Sequence, residues 1–452
     1  MNCRRIIILC SLLLLGSMAF GQIERGAPLP RKALLGAQLT SMTPERAKQL
    51  NVPAASIEVT RVIPGTTAEG MKFEVGDVVL SLNGKKTATA PEFMLMMRQV
   101  NGGQMVKVGV MRNGKNLELS GTAIERPKQK GDGVVVEYDQ LLSLGKRIRV
   151  ISTHPQGAGP FPTIFWIGGI GAYSLDAEYP NIAYGNIMGP LSKDYAIVRI
   201  DKPGQGDSEG PEYLNLGFDT ELDAYIQAIR LTKTYGFVDK NRIAIVGHSM
   251  GGVFGPLVAQ TEKVAAIAAC ATIAKTWNEY MLENTRRQSL LGGASPEAVD
   301  QEMVEMGAVC HHLFFEQMKP ADIARKYPAL KARVNAMIPD GKTYSGVGIG
   351  FFQTLATKNL PGAWAKIDAK VAAIWGENDF ISTRSDHEFI AEMMNKKHPG
   401  SAEFILVPHS DHGFSNTDSF ADSMQKWGRG GKFNPNIIEI LSDWLKKAIG
   451  GG

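Results

Sequence analysis

Short apolar runs alternate with amphipathic segments over most of this chain. Residues 133–138 and 146–153 alternate apolar and polar positions with a period of two, which predicts an opening pair of strands. Residues 163–167, 195–200, 243–246, 264–270, 371–375 and 403–407 are nearly unbroken apolar runs, the pattern of strands buried on both faces. Residues 222–235 read as a helix, and 437–449 as a closing amphipathic helix. Buried strands alternating with helices predict an α/β fold, with a mostly parallel sheet covered on both sides. The interval from Cys270 to Val371 is much longer than one crossover helix needs. Its largely helical pattern predicts an inserted lid at about 276–362.

Ahead of this lies a smaller, β-rich unit at 33–123. Residues 57–62 alternate at strand period, and 76–84 read as a strand closed by Asn83-Gly84. A short helix at 91–100 carries Phe93, Met94, Met97 and Val100 on one face. Strands at 106–111 and 117–122 are joined by Asn113-Gly114. Residues 22–32 are a lead-in containing Pro and Arg. Residues 124–132, polar and with Pro and Gly, read as a linker to the larger domain at 133–449.

Residues 1–21 have the form of a secretory signal. Arg4 and Arg5 precede an apolar stretch at 6–15 too short to span a bilayer, and Ala19-Phe20-Gly21 places the mature start at Gln22. The chain is therefore expected to be exported, to the periplasm or beyond, with no transmembrane segment after signal removal. Cys10 lacks the small residues that precede a lipidated cysteine. With 44% hydrophobic and 21% charged residues the chain is globular, not disordered. A formal net charge of +4 is too small to argue for nucleic acid. Cys270 and Cys310 remain after signal removal. Cys270 ends an apolar run, so two buried thiols are favoured over a disulfide.

The most informative motif is Gly247-His248-Ser249-Met250-Gly251-Gly252, between an apolar, β-branched run and a segment that can be helical. G-x-S-x-G in a strand–turn–helix setting is a nucleophile elbow. Residues 247 and 251 are small because a Cβ in so tight a turn would meet the packed strand and helix. Ser249 would then stand beside a helix N-terminus that favours developing negative charge.

This order of elements around G-H-S-M-G-G resembles the α/β-hydrolase superfamily over about residues 133–449. The resemblance implies an acid after the strand that follows the lid and a histidine after the last strand. Gly376-Glu377-Asn378-Asp379 supplies Asp379, with Glu377 as a competitor. Pro408-His409-Ser410-Asp411-His412-Gly413-Phe414 supplies His412, with His409 as a competitor. The implied oxyanion donors are the N–H of Met250 and, in the loop after the third strand, that of Ile170, with Gly169 next. Asp201-Lys202-Pro203-Gly204-Gln205-Gly206-Asp207-Ser208 resembles the superfamily's D-x-R-G-x-G-x-S segment, with Lys202-Pro203 in place of the usual Arg position. It reads as a structural turn.

Residues 33–123, with G-D-V-V-L-S-L-N-G, resemble the circularly permuted PDZ domain of bacterial periplasmic proteases. The resemblance implies that Leu34, Leu35, Gly36 and Ala37 form a carboxylate-binding loop for a peptide C-terminus, beside a strand edge that accepts an extended chain. In the predicted lid, Arg286 and Arg287 are candidates for pairing a substrate carboxylate or for pinning the lid. His311 and His312 beside Cys310 suggest no metal, because adjacent residues on a helix point apart and no matching ligand cluster is visible. No cofactor is expected. The reaction implied is cleavage of a carboxylic ester through Ser249, His412 and Asp379. The alternatives are a peptidase or amidase using the PDZ unit to present substrate, and a peptide-binding scaffold with a vestigial hydrolase.

Overall fold

A computed structural model describes residues 24–54, 56–176 and 182–450. The secretory-signal reading of residues 1–21 and the start at Gln22 lie outside them.

The first unit contains β1 (Ala37–Ser41), α1 (Pro44–Gln49), β2 (Ile57–Val62), α2 (Thr67–Gly70), β3 (Val78–Leu82), β4 (Lys85–Lys86), α3 (Ala90–Met97), β5 (Met105–Arg112) and β6 (Lys115–Thr122). The sheet order is β1-β2-β3-β5-β6, with β4 beside β3, so β1 is an edge strand. Asn113 and Gly114 have φ of 51° and 75°. Positive φ at both positions is what a two-residue turn between twisted strands requires. Ile57, Val59, Val108, Val110 and Phe93 close a core beneath α3.

The second unit opens with β7 (Val134–Ser143) and β8 (Lys146–Pro155). These are followed by β9 (Phe161–Ile167), α4 (Ile182–Leu191), β10 (Ala196–Ile200), α5 (Phe218–Thr232), β11 (Val238–His248), α6 (Met250–Thr261) and β12 (Ala266–Cys270). Helices α7 (Trp277–Leu291), α8 (Pro296–Cys310), α9 (Pro320–Lys326) and α10 (Lys331–Met337) come next. A small hairpin, β13 (Thr343–Tyr344) and β14 (Val347–Gly348), leads to α11 (Ile349–Leu355) and α12 (Leu360–Trp364). The chain then returns through β15 (Lys370–Gly376), α13 (Arg384–Lys397), β16 (Ala402–Val407), α14 (Phe420–Lys426) and α15 (Asn436–Ala448).

The eight-stranded sheet runs β16-β15-β12-β11-β9-β10-β8-β7. Its pairs are parallel except for β10 with β8 and β8 with β7. Successive residues of a strand enter different cores. Phe165, Ile167 and Ile245 pack on one face with Tyr225 and Phe254, and Ile164, Trp166 and Val246 on the other with Tyr184 and Trp444. Burial on both faces is why these strands read as unbroken apolar runs.

The polar segments around the first unit are fastened to the second. The Leu142 N–H donates to Glu24 O, while the Arg126 N–H donates to Lys32 O and so ties the linker to the lead-in. Arg126 also donates to Asp207 at 2.9 Å, and Arg199 to Gln129. Cys270 and Cys310 are free and buried, and burial pushes each thiol up to about 12. No helix among the described residues is long and apolar enough to cross a membrane.

Candidate active site

Strand β11 ends at His248 and α6 begins at Met250, leaving Ser249 alone in the bend at φ 56°, ψ −118°. A non-glycine residue there is strained, and the surroundings hold it. The Ser249 N–H donates to Cys270 O at 2.8 Å, and Thr272 Oγ1 donates to Ser249 O at 2.9 Å. The two glycines are needed for close approach. A Cβ at 247 would lie 2.3 Å from Gly251 O, and one at 251 would lie 2.0 Å from Ile167 O.

Three residues distant in sequence meet here. His412 Nε2 is 2.9 Å from Ser249 Oγ, and His412 Nδ1 is 2.9 Å from Asp379 Oδ2. Asp379 also accepts from the N–H groups of Ile381 and Ser382 and from the Ser382 hydroxyl. Burial alone would raise its pKa, but His412 and these donors hold the carboxyl below its ordinary range. The two competitors lie apart. His409 is exposed, and its N–H donates to the carboxylate of Glu377, itself on the surface. His248 was not singled out from sequence. Its ring donates to His412 O at 2.8 Å. Burial, and then the neighbouring His412, lower its pKa to about 4.

Ser249 opens into a cavity of about 390 Å³. Trp277, Tyr280, Tyr344 and Phe352 from the inserted segment line it, together with Trp427. Gly169, Ile170 and Met250 line it beside the serine. Among the described residues neither the Ile170 nor the Met250 N–H has a protein acceptor. Gly169 O, in contrast, accepts from Lys202 Nζ at 2.6 Å and from the Tyr173 hydroxyl at 2.7 Å.

Residues 169–422 match the alpha/beta hydrolase family. The chain belongs to that family. Residues 33–121 match the PDZ domain, so this alpha/beta hydrolase carries a PDZ domain on its N-terminal side. Its relatives divide in the same way. Esterase EstD of Thermotoga maritima is 21% identical over 298 residues, 65% of this chain and 64% of that protein. The periplasmic pH-dependent serine endoprotease DegQ of Escherichia coli is 30% identical over 141 residues, 29% of this chain and 30% of that protein. The chain thus spans just under two thirds of the first relative and under a third of the second. The solved structure of Est1E from Butyrivibrio proteoclasticus with ferulic acid is 15% identical, covers 69% of this chain and 99% of that one, and has a TM-score of 0.45.

A second cavity of the hydrolase, about 550 Å³, lies between its two domains. Leu34, Leu35, Gly36 and Ala37 line one wall, and residues 204–206 and Tyr173 line the other. Tyr173 therefore borders both cavities. Gly36 sits at φ 71°, where a Cβ would also meet the Thr66 side chain at 2.1 Å, so the loop requires glycine.

Of the two readings of the lid arginines, pinning or facing solvent agrees with the structure: neither Arg286 nor Arg287 lines the cavity. Arg286 is exposed, whereas Arg287 donates to Phe380 O and Ile381 O, tying α7 to the Asp379 loop. His311 and His312 do not point apart, because residues His311–Phe315 form a π-helical turn. That turn gathers His311, His312 and Glu316, with ligand atoms all within 4.8 Å of one another. Segment 201–208, read as a structural turn, is deeply buried. Asp201, Lys202 and Asp207 are all about 1% exposed or less. Three charged side chains, flanked by glycines and no apolar periodicity, gave no sign of that depth.

Proposed function

We propose that this chain is an exported serine hydrolase that cleaves carboxylic esters. The observation that carries it is the position of His412, within hydrogen-bond reach of both Ser249 and Asp379 at the wall of a largely apolar cavity. His412 takes the Ser249 proton as Oγ attacks the ester carbonyl, and Asp379 holds the ring's tautomer and stabilises the imidazolium. The N–H groups of Met250 and Ile170 receive the oxyanion. His412 returns the proton to the leaving alcohol, an acyl-enzyme forms on Ser249, and water activated by His412 releases the acid. Helices α7 to α12 act as a lid whose aromatic side chains surround the apolar part of the substrate.

Esters are favoured over amides by the esterase relatives. Export is supported by the pattern of residues 1–21 and by the periplasmic relative of the PDZ segment. The PDZ loop at Leu34–Ala37 takes the C-terminal carboxylate of a peptide, supported by the position of β1 at the edge of its sheet among the described residues. A fluorophosphonate probe and a panel of p-nitrophenyl esters beside aminoacyl-p-nitroanilides test the assignment. Labelling lost in Ser249→Ala, with turnover of esters and little of anilides, is the expected result. Faster anilide cleavage would make the chain a peptidase or amidase. Equal labelling of wild type and Ser249→Ala would overturn the nucleophile.

A further inference from the structure

Lys202 is fully enclosed, yet its charge is aimed at one peptide group. Its Nζ pairs with Glu221 at 3.1 Å and donates to Gly169 O at 2.6 Å. The rings of Tyr173 and Tyr213 lie 5.0 and 5.5 Å from it. Burial alone would depress this ammonium, but Glu221 and the tyrosines hold its pKa above the ordinary value, so it stays charged. Anchoring a carbonyl does not call for a buried cation, which is costly to desolvate. Tyr173 already supplies a neutral donor to the same oxygen at 2.7 Å.

The other end of that peptide is the Ile170 N–H. The only cis bond among the described residues is Gly159–Pro160. In a trans peptide the C=O and N–H point in opposite directions. Gly169 O is taken up by Lys202 and Tyr173, whereas the Ile170 N–H has no protein acceptor among the described residues and Ile170 lines the cavity beside Ser249, so that N–H is available to a ligand there. The fit is close, since a Cβ on Gly169 would lie 3.1 Å from Ser249 Cβ. A charged donor on the carbonyl draws electron density along the amide and makes its N–H a stronger donor.

We propose that Lys202 is a positioning residue of the ester-cleaving reaction, holding and polarising the 169–170 peptide so that the Ile170 N–H stabilises the oxyanion. It rests on Ser249 being the nucleophile and Ile170 an oxyanion donor. Lys202 acts on charge that exists only in the transition state, so its loss lowers kcat and leaves KM in place.

Lys202→Met alone strands a buried Glu221 carboxylate and endangers folding. The test therefore compares the full-length wild type with the double variant Lys202→Met/Glu221→Gln, which removes both buried charges together. The double variant is expected to lose about 10- to 100-fold in kcat, less than the ~10²- to 10³-fold typical of deleting an oxyanion donor outright. KM should stay within about twofold. Inhibition by an aryl trifluoromethyl ketone, which forms a tetrahedral adduct on the serine, should weaken in step with kcat/KM. Lys202→Gln/Glu221→Gln keeps a neutral donor and should fall between the two; equality with the wild type would overturn the polarisation. A folded double variant with unchanged kcat and inhibition, or with KM alone raised, would overturn the proposal. Turnover persisting in Ser249→Ala would instead remove the serine chemistry on which it rests.

Discussion

Arg31 and Asp207 lie 176 positions apart and meet through a 2.5 Å contact that is buried on both sides. Asp207 also contacts Arg126 at 2.9 Å and Arg149 at 3.3 Å, and accepts the Lys32 N–H at 2.9 Å. One carboxylate thus collects donors from the lead-in, from the linker after the PDZ unit and from β8. Burial pushes its pKa up, but these donors outweigh burial and hold it below the ordinary 3.8. Its stabilising contribution is therefore complete above pH 3.8 and is lost as the pH falls through the lower folded value. Asp207→Asn leaves three guanidinium groups facing a neutral amide. It is expected to cost about 3–5 kcal/mol, the scale of breaking a buried pair from one side. Urea denaturation near neutral pH measures the loss, and an unchanged midpoint would count against the network.

The two histidines of the 408–414 loop separate cleanly. His412→Ala is expected to remove turnover of p-nitrophenyl esters by several powers of ten, whereas His409→Ala keeps most of it, since His409 is exposed and away from Ser249. Asp379→Asn keeps the shape but not the charge and should lose about 10⁴-fold in kcat. Steady-state kinetics on the three variants decide, and the reverse ranking of the histidines would move the base to His409.

Much of this constellation was legible because its signals are local. An elbow needs small residues where strand and helix touch, so Gly247 and Gly251 announced Ser249. The buried strands announced themselves because both faces are covered. The Arg31–Asp207 network left no trace, since polar residues dispersed over 176 positions resemble a solvated surface. The predicted linker shows why polarity misleads: Arg126 is 9% exposed because its charge is spent on Asp207, not on water. The π-turn at His311–Phe315 was equally invisible, because it breaks the helical period by which neighbouring side chains are placed.

The elbow glycines allow a direct test of packing. Gly251→Ala places a methyl carbon 2.0 Å from Ile167 O, a backbone atom of β9 that cannot swing aside. Folding is expected to be impaired by at least ~2 kcal/mol, with turnover falling as β9 and α6 are forced apart. Thermal unfolding gives the answer. Gly307→Ala, at a helical position with nothing within 4 Å, serves as the control and should be neutral or slightly stabilising.

His248 makes stability fall in mild acid. Its folded pKa is about 4, lowered from the ordinary 6.5 by burial and by His412. Below pH 6.5 the unfolded chain takes up a proton that the folded ring refuses until about pH 4. The stability present above 6.5 is therefore lost progressively as the pH falls towards 4. At most about 3.4 kcal/mol is involved, at about 1.36 kcal/mol per unit. Urea titrations at pH 7.5 and 5 should show this slope in the wild type and a smaller one in His248→Phe. Identical slopes would mean that other groups carry the acid sensitivity.

The PDZ groove has its own discriminating experiment, which must use the whole chain. Deleting the first unit with its lead-in and linker would remove Arg31 and Arg126 from Asp207 and leave a buried charge with fewer partners, so a dead truncation would say nothing about catalysis. Leu34 to Ala37 line the interdomain cavity, Gly36 requires its glycine, and Met94 and Met97 of α3 form an apolar flank. On the proposed reading, a peptide ending in an apolar residue with a free carboxylate would lie along that wall, its backbone pairing with the β1 edge and its terminus taken by the N–H groups of Leu35 and Gly36, since that of Leu34 already donates to Ile124 O. Calorimetry on the full-length protein is expected to favour the free acid over the C-terminal amide by about 1–3 kcal/mol, the scale of hydrogen bonds to a charged group. Gly36→Val should abolish the preference while fluorophosphonate labelling of Ser249 persists, because the loop lies in a separate domain from the serine. Equal affinity for acid and amide would reduce the groove to a docking face between the two domains.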